Sequence, residues 1–216
     1  GETFAAMLGQ ANLFTKVGDG LTAALMIGKA NVYSHIGNGT SLGLFAGELN
    51  VMTKVGNGTT LAALFGKANI VTHVGSGLTG VLALGKANII TKVGDGRQVV
   101  LAKGDANIVT QVGEGDGYQA LLGKANIVTR VGDGIQVTLA KGEVNQTTTV
   151  GDGLSVTAAY GKFNNNVKVG DGTTINLAWG DYNLNTKVGD GLNVAVMKGT
   201  FHGLMSAHTP TGWNSV

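Results

Sequence analysis

The stretch GKANIVTHVGSG (Gly66–Gly77) contains the two signals that decide the fold, a glycine before a basic residue and a Gly-x-Gly turn. Both signals recur along the chain every 19 residues, as from Gly66 to Gly85. The Gly-x-Gly turns begin at Gly18, Gly37, Gly56, Gly75, Gly94, Gly113, Gly132, Gly151, Gly170 and Gly189. The other glycine recurs at Gly9, Gly28, Gly47, Gly66, Gly85, Gly104, Gly123, Gly142, Gly161, Gly180 and Gly199. Glycine at so regular a spacing indicates turns with positive φ or close backbone contacts, rather than a flexible linker.

Each repeat has room for two short strands between these glycines. In Ala87–Val93, Ala, Ile, Thr and Val alternate with Asn, Ile and Lys, which is the period of two expected for a β-strand. The segment after the turn, such as Leu21–Ile27, is bounded by glycine and is too short for a stable helix. The sequence therefore predicts an all-β fold with one pair of strands per repeat.

Two architectures fit such a repeat. The first is a β-solenoid with two short strands in each 19-residue coil and about eleven coils, and the second is an antiparallel β-hairpin meander. The unvarying spacing favours the solenoid, because equivalent residues must then stack in register. We expect one solenoid domain over residues 1–200 and an irregular C-terminal repeat or cap over residues 201–216.

An asparagine at one position of almost every repeat also favours the solenoid. Stacked asparagine side chains can hydrogen-bond from one coil to the next. This structural ladder comprises Asn12, Asn31, Asn50, Asn69, Asn88, Asn107, Asn126, Asn145, Asn164 and Asn183.

The composition limits the function classes. The 216 residues include no Cys, which excludes disulfides and thiolate metal sites. A formal net charge of +2 gives no strong field for nucleic acid, so we expect no nucleic-acid partner. No nucleophile, base and acid stand out from the periodic background, so we expect no enzyme and no cofactor except a possible calcium ion.

The alternation in the first strand places one set of residues inside and the other outside. We expect Ile or Val, Thr and Val to fill the core, together with Leu42, Val99, Val137 and Ile175 of the second strand. The other set would then form an exposed apolar stripe for a membrane or partner, unless the orientation is reversed. Its members are Phe14, Tyr33, Met52, Val71 and Ile90, with Met26, Phe45 and Leu64 from the second strand.

Two charged stripes follow from the same stacking. A basic stripe on the outward set would suit anionic lipids or glycans, or would be a solvated face. It comprises Lys16, His35, Lys54, His73, Lys92, Arg130, Lys168 and Lys187. The turn position gives an acidic stripe whose oxygens could bind Ca²⁺, although Asp and Asn also suit tight turns. The calcium candidates are Asp133, Asp152, Asp171 and Asp190.

The repeats resemble those of a known toxin family. GKANVYSHIGNGTSLGLFAG (from Gly28), GKANIVTHVGSGLTGVLALG (from Gly66) and GKANIITKVGDG (from Gly85) resemble the glycine-rich repeats of the multifunctional autoprocessing RTX (MARTX) toxins. The resemblance implies a secreted protein whose repeat region acts at the host cell surface or membrane and helps to deliver effector domains. The partners that it implies are host membrane lipids or glycans and adjacent repeats of the parent toxin.

Two other functions are compatible with the sequence. One is a passive or calcium-rigidified extender or adhesin stalk. The other is an ice- or glycan-binding solenoid, which requires a line of threonines to face outward in a flat array, whereas we expect that line to face inward. The line comprises Thr15, Thr53, Thr72, Thr91, Thr110, Thr129, Thr148 and Thr186.

Overall fold

The computed structural model describes residues 1–207 and 214–215, which form two parallel β-sheets. Sheet A contains β1 (Thr3–Leu8), β3 (Thr22–Ile27), β5 (Gly39–Ala46), β7 (Gly58–Phe65), β9 (Thr79–Leu84), β11 (Gln98–Lys103), β13 (Gly117–Leu122), β15 (Gly134–Lys141), β17 (Gly153–Tyr160), β19 (Gly172–Trp179), β21 (Asn193–Lys198) and β23 (Asn214–Ser215). Sheet B contains β2 (Ala11–Val17), β4 (Ala30–Ile36), β6 (Leu49–Val55), β8 (Ala68–Val74), β10 (Ala87–Val93), β12 (Ala106–Val112), β14 (Ala125–Val131), β16 (Val144–Val150), β18 (Phe163–Val169), β20 (Tyr182–Val188) and β22 (Phe201–Ala207). The chain alternates between the sheets, so each coil adds one strand to each sheet.

Neighbouring coils are paired in strict register. Ile89 of β10 pairs with Ile70 of β8 in the preceding coil and with Ile108 of β12 in the following coil. All pairings between the described strands are parallel and join one strand to the equivalent strand of the next coil. The β-solenoid prediction is confirmed, and the antiparallel meander is excluded.

The two corners of each coil use glycine for different reasons. Gly94 and Gly96 have φ angles of 115° and 109°, which side chains with a Cβ rarely adopt. At the other corner Gly85 lies against the preceding coil, and a Cβ built on it would lie 1.9 Å from the carbonyl oxygen of Gly66. The first corner therefore requires glycine for its dihedral angles and the second for the close approach of two backbones.

The interior is filled by the set of residues that the sequence assigned to the outside, so the predicted orientation was wrong. Val99 is 43% exposed and Leu42, Val137 and Ile175 are half-buried. The predicted apolar surface stripe is instead core. Phe14 is partly buried, and the other members are at most 1% exposed: Met26, Tyr33, Phe45, Met52, Leu64, Val71 and Ile90.

The strand period explains this reversal. Asn88, Ile90 and Lys92 share one face of β10, so all three must point the same way. Inside, Asn88 and Lys92 donate hydrogen bonds to corner carbonyls, and Ile90 fills the space between them. Charged residues are rarely buried without a partner, and the sequence alone does not show that these lysines have one.

The interior changes character along the rod. From β16 to β20 the central position of sheet B is polar, with Thr147, Asn166 and Asn185 in place of Val and Ile. Thr157 and Asn176 replace the small apolar residues of sheet A. The N-terminal coils therefore have an apolar centre, and the C-terminal coils have a hydroxyl and amide centre.

Sheet B continues beyond the predicted end of the repeat array. β22 pairs in register with β20 as far as Ala207, and β23 pairs with β21. The remainder of the predicted C-terminal cap, residues 208–213 and 216, lies outside the described residues.

Candidate functional site

The asparagines form a continuous line of hydrogen bonds inside one corner. Nδ2 of Asn88 donates to Oδ1 of Asn107 at 2.8 Å and to the carbonyl of Lys103 at 3.1 Å. Oδ1 of Asn88 accepts from Asn69 at 2.8 Å. The same pattern joins Asn12 to Asn183 without interruption. Each amide thus donates twice to the next coil, once to its asparagine and once to a carbonyl of its corner.

The basic residues lie inside the opposite corner, so their predicted place on the surface was wrong. Nζ of Lys54 donates to the carbonyls of Gly37, Gly56 and Asn57 at 2.9–3.1 Å. These carbonyls belong to Gly-x-Gly turns, whose backbone curvature points the oxygens inward. Lys16, at the end of the rod, is partly exposed. The others are at most 1% exposed: His35, Lys54, His73, Lys92, Arg130, Lys168 and Lys187. These side chains donate hydrogen bonds to turn carbonyls and are not available to lipid or glycan.

Permanent charges alternate with neutral side chains along this basic row. From the N-terminus the stacked residues are Lys16, His35, Lys54, His73, Lys92, Gln111, Arg130, Thr149, Lys168 and Lys187. With coils about 4.8 Å apart, alternation puts cations about 10 Å apart and roughly halves their repulsion. Only Lys168 and Lys187 are adjacent, and Asp152, Asp171 and Asp190 lie near Lys187.

Burial lowers the pKa of the cationic side chains in this row. Loss of hydration is the largest cause for Lys54, Lys92, Lys168, Lys187 and Arg130. The nearest turn carboxylate opposes the shift in each case, as Asp95 does for Lys92. The buried positive charges are therefore stabilised by carbonyl oxygens that point inward and by carboxylates on the outside of the turns.

The predicted calcium stripe forms a second ladder on the outside of these turns. Oδ1 of Asp133 accepts the backbone N–H of Asp152 at 2.7 Å, and Asp152 and Asp171 accept from the next turn at 2.8 Å. Asn38 makes the same contact with the amide of Asn57 at 3.0 Å, so the contact does not require a charge. In the described part of the chain, no three acidic or histidine side chains converge as metal ligands. Calcium binding stays a prediction.

The outer face of sheet A carries a long apolar surface. Two of its three rows contain Ala, Gly, Leu, Val, Ile and one Tyr from β3 to β21. Leu44, Leu101 and Leu139 are 47%, 47% and 54% exposed. In the N-terminal half, the small side chains of Ala63 and Gly80 leave a shallow groove of about 810 Å³ between the leucines. We name these two rows the apolar face.

Lysines border the apolar face at the corner between sheet A and sheet B. Lys103 and Lys141 end β11 and β15, and Lys86 and Lys124 occupy the adjacent corner. Together with Leu84 and Leu122 they line an open groove of about 870 Å³. Asp105 is the acidic residue of this groove, and it pairs with Lys124 at 3.3 Å. The exposed basic residues are thus different from the ones predicted.

The threonine line faces outward, so its predicted inward orientation was also wrong. Thr53, Thr72, Thr91, Thr110, Thr129, Thr148 and Thr186 are half-buried, and Thr15 is exposed at the end of the rod. The row lies between a row of Ile and Val and a row of Val, such as Ile89 and Val93, which are 38% and 39% exposed. This outer face of sheet B is a regular array of hydroxyl and methyl groups. We name it the threonine face.

The fold and these surfaces define a structural repeat protein, in which coil stacking rather than a catalytic pocket organises the side chains. A comparison with protein-family models matches the RtxA repeat, and the matches cover more than half of the chain. The matched residues are 7–24, 26–43, 46–62, 66–79, 83–98, 102–116, 122–134 and 178–195. The chain therefore belongs to the RtxA repeat family. Repeats of this kind are typical of secreted proteins.

Comparisons with the curated proteins and with the solved structures gave no significant match. In the part of the chain that the structure describes, no helix is long and apolar enough to span a membrane.

Proposed function

We propose that this chain is a non-enzymatic repeat region of a secreted toxin, a rigid rod that binds the host plasma membrane and helps to deliver effector domains. The apolar face carries this proposal. An exposed apolar surface that runs along a whole rod is far larger than the isolated apolar residues of ordinary surfaces, and such patches mark membrane or protein contacts.

The lysine border supports a membrane rather than a protein partner. Lys86, Lys103, Lys124 and Lys141 lie at one edge of the apolar face, where they would meet phosphate groups if the leucines entered the lipid. Each lysine without a carboxylate partner near an anionic surface contributes about 1 kcal/mol to the binding free energy, and Lys124, which pairs with Asp105, contributes less. Leu101 and Leu139, in the same coils as Lys103 and Lys141, would supply the apolar contact.

Flotation of the folded rod with liposomes tests the proposal. We expect binding to neutral and anionic vesicles at about 0.1 M salt, with part of the binding to anionic vesicles lost at about 1 M salt. Leu101→Gln with Leu139→Gln should weaken binding to both kinds of vesicle. The matched control is Ile89→Gln with Ile108→Gln on the threonine face, which should leave binding unchanged.

Two outcomes would reject the proposal. One is a rod that floats with no vesicle at either salt concentration. The other is equal loss of binding in the two double variants, which would show that the apolar face has no special role. If Lys103→Gln with Lys141→Gln reduces binding only to anionic vesicles, the lysine border is assigned to the lipid phosphates.

A second candidate function follows from the threonine face. Its hydroxyl groups repeat at the coil spacing of about 4.8 Å, and an array of this kind suits an ordered surface such as ice or a crystalline glycan. Thr91→Lys with Thr110→Lys would disrupt the array without touching the core. Inhibition of ice recrystallisation or binding to insoluble polysaccharide, lost in this variant, would support the second candidate. A passive stalk predicts neither activity and no liposome binding.

A further inference from the structure

The first five coils contain a buried arrangement that the other described coils lack. His35 and His73 are fully buried, and each lies between two lysines of the adjacent coils. The sequence has no histidine between His73 and His202, and His202 is exposed. The C-terminal coils use Gln111 and Thr149 where the N-terminal coils use histidine.

The hydrogen bonds fit a neutral imidazole at both positions. Nε2 of His35 lies 2.9 Å from the carbonyl oxygen of Gly18, so Nε2 carries the proton and donates. Nδ1 lies 2.7 Å from the hydroxyl of Ser41 and accepts a hydrogen bond from it. His73 repeats the arrangement, with Gly56 at 3.1 Å and Thr79 at 2.7 Å.

Protonation of His35 would add a third charge to a line of positive charges. Lys16 and Lys54 stack on either side of it, and Asp19, on the outside of the preceding turn, is the opposing carboxylate. Tyr33 is buried on the same strand, and burial raises its pKa, so it remains neutral. Sheet A presents only hydroxyl groups to this part of the row: Thr22, Ser41 and Thr60.

His73 has less compensation. Lys54 and Lys92 stack on either side, and the turns at Asn57 and Ser76 have no carboxylate. Sheet A presents Thr60, Thr79 and Gln98 to this part of the row. The nearest acidic turn residue is Asp95, which faces Lys92. The turns of the coils that contain histidine thus have Asn or Ser where most other turns have a carboxylate.

We propose that the coils around His35 and His73 form an acid-sensitive segment, whose open population rises at mildly acidic pH while that of the C-terminal coils does not. Burial, the largest cause, and the flanking lysines lower the pKa of both histidines in the folded state. A base whose pKa is lower when folded contributes stability above its unfolded pKa, near 6.5, and loses it as pH falls toward the folded pKa. For two such groups, the open population rises up to about 100-fold between pH 7.4 and pH 5.5.

Opening would expose the apolar part of the core. The side chains around the two histidines include Tyr33, Phe45, Met52 and Leu64, all fully buried in the closed rod. The equivalent C-terminal positions hold polar or small residues such as Asn166. Acid would therefore raise the fraction of molecules that expose this apolar surface, whether or not the closed rod binds membranes.

Hydrogen exchange measured by mass spectrometry tests this on the intact chain. Labelling at pH 7.4 and pH 5.5 is corrected for the intrinsic exchange rate, and the lower pH lies above the ordinary carboxyl range, so histidine is the side chain that titrates. We expect at least tenfold faster corrected exchange at pH 5.5 in residues 30–93, and less than twofold change in residues 125–188.

Variants separate the histidines from a general effect of acid. His35→Gln with His73→Gln replaces each imidazole with a neutral amide, and at the same position Gln111 donates from Nε2 to the carbonyl of Gly96 at 3.3 Å. This variant should lose the pH response, and the exposed His202→Gln control should keep it. A response that persists in the double variant, or that is equal in both halves of the rod, would overturn the proposal. So would an NMR titration in which both imidazoles of the folded protein protonate at or above about 6.5.

Discussion

Replacing one asparagine in the middle of the ladder should cost far more than its size suggests. Asn88→Ala removes the bonds from Nδ2 to Asn107 and to the carbonyl of Lys103, and the bond that Oδ1 accepts from Asn69. Asn88 is fully buried, so water does not replace these partners. The variant leaves one N–H of Asn69 and Oδ1 of Asn107 without their partners.

The expected loss can be estimated from these contacts. Three hydrogen bonds at about 1 kcal/mol each give about 3 kcal/mol, and the two stranded groups add about 1–2 kcal/mol. The free energy of unfolding should therefore fall by roughly 4–5 kcal/mol. Asn12→Ala is the matched control, because Asn12 makes only two of the three contacts, to Ile27 and Asn31, and lies in the terminal coil. Its cost should be about 2 kcal/mol.

Urea unfolding followed by far-ultraviolet circular dichroism measures both costs. Hydrogen exchange of β8, β10 and β12 adds the location of the damage, which should be confined to the two interfaces of the mutated coil. Equal losses for Asn88→Ala and Asn12→Ala, both below about 1 kcal/mol, would refute the reasoning. Such a result would mean that strand pairing alone holds the coils and that the ladder is incidental.

Three further variants examine the corners. Lys54→Met should reduce the free energy of unfolding by about 3 kcal/mol, because three hydrogen bonds from Nζ to inward carbonyls are lost, although the carbonyl of Gly56 keeps its contact with His73; a variant as stable as the parent in urea would contradict this. Gly85→Ala should cost roughly 3 kcal/mol, since its Cβ meets the carbonyl of Gly66, whereas Gly80→Ala meets only a movable leucine side chain and should cost less in the same assay. Asp171→Ala should lower the stability by about 0.5–1 kcal/mol and Asp171→Asn should not; if Asp171→Asn alone abolishes a rise in melting temperature caused by millimolar Ca²⁺, the carboxylate has a metal role.

The architecture could be predicted because it depends on spacing. A repeat of constant length, without any insertion, requires coils in register, and glycine at both corners follows from backbone geometry. The asparagine position was identifiable for the same reason, because one polar residue recurs wherever a buried contact is repeated.

The orientation of the strands could not be predicted in the same way. Hydropathy describes Lys92 as a surface residue and Val93 as a core residue, whereas the structure buries the first and exposes the second to 39%. The deciding fact is that the Gly-x-Gly turn directs its carbonyl oxygens inward, which depends on coordinates rather than on residue type. The sequence did contain one signal of burial. At this position Lys or Arg alternates with His, Gln or Thr, and such spacing of charges is not required in a row that is exposed to solvent.

The pairing of every strand with the equivalent strand of the next coil also determines how such a rod can change in length. Removing or duplicating one whole repeat keeps every strand in register and each asparagine in line, although removal of the repeat that contains His73 would bring Lys54 and Lys92 into adjacent coils. A change of any other size places a lysine where an amide must bind and breaks two ladders at once. Genes for such rods can therefore vary freely in the number of units, while the unit itself has a fixed size.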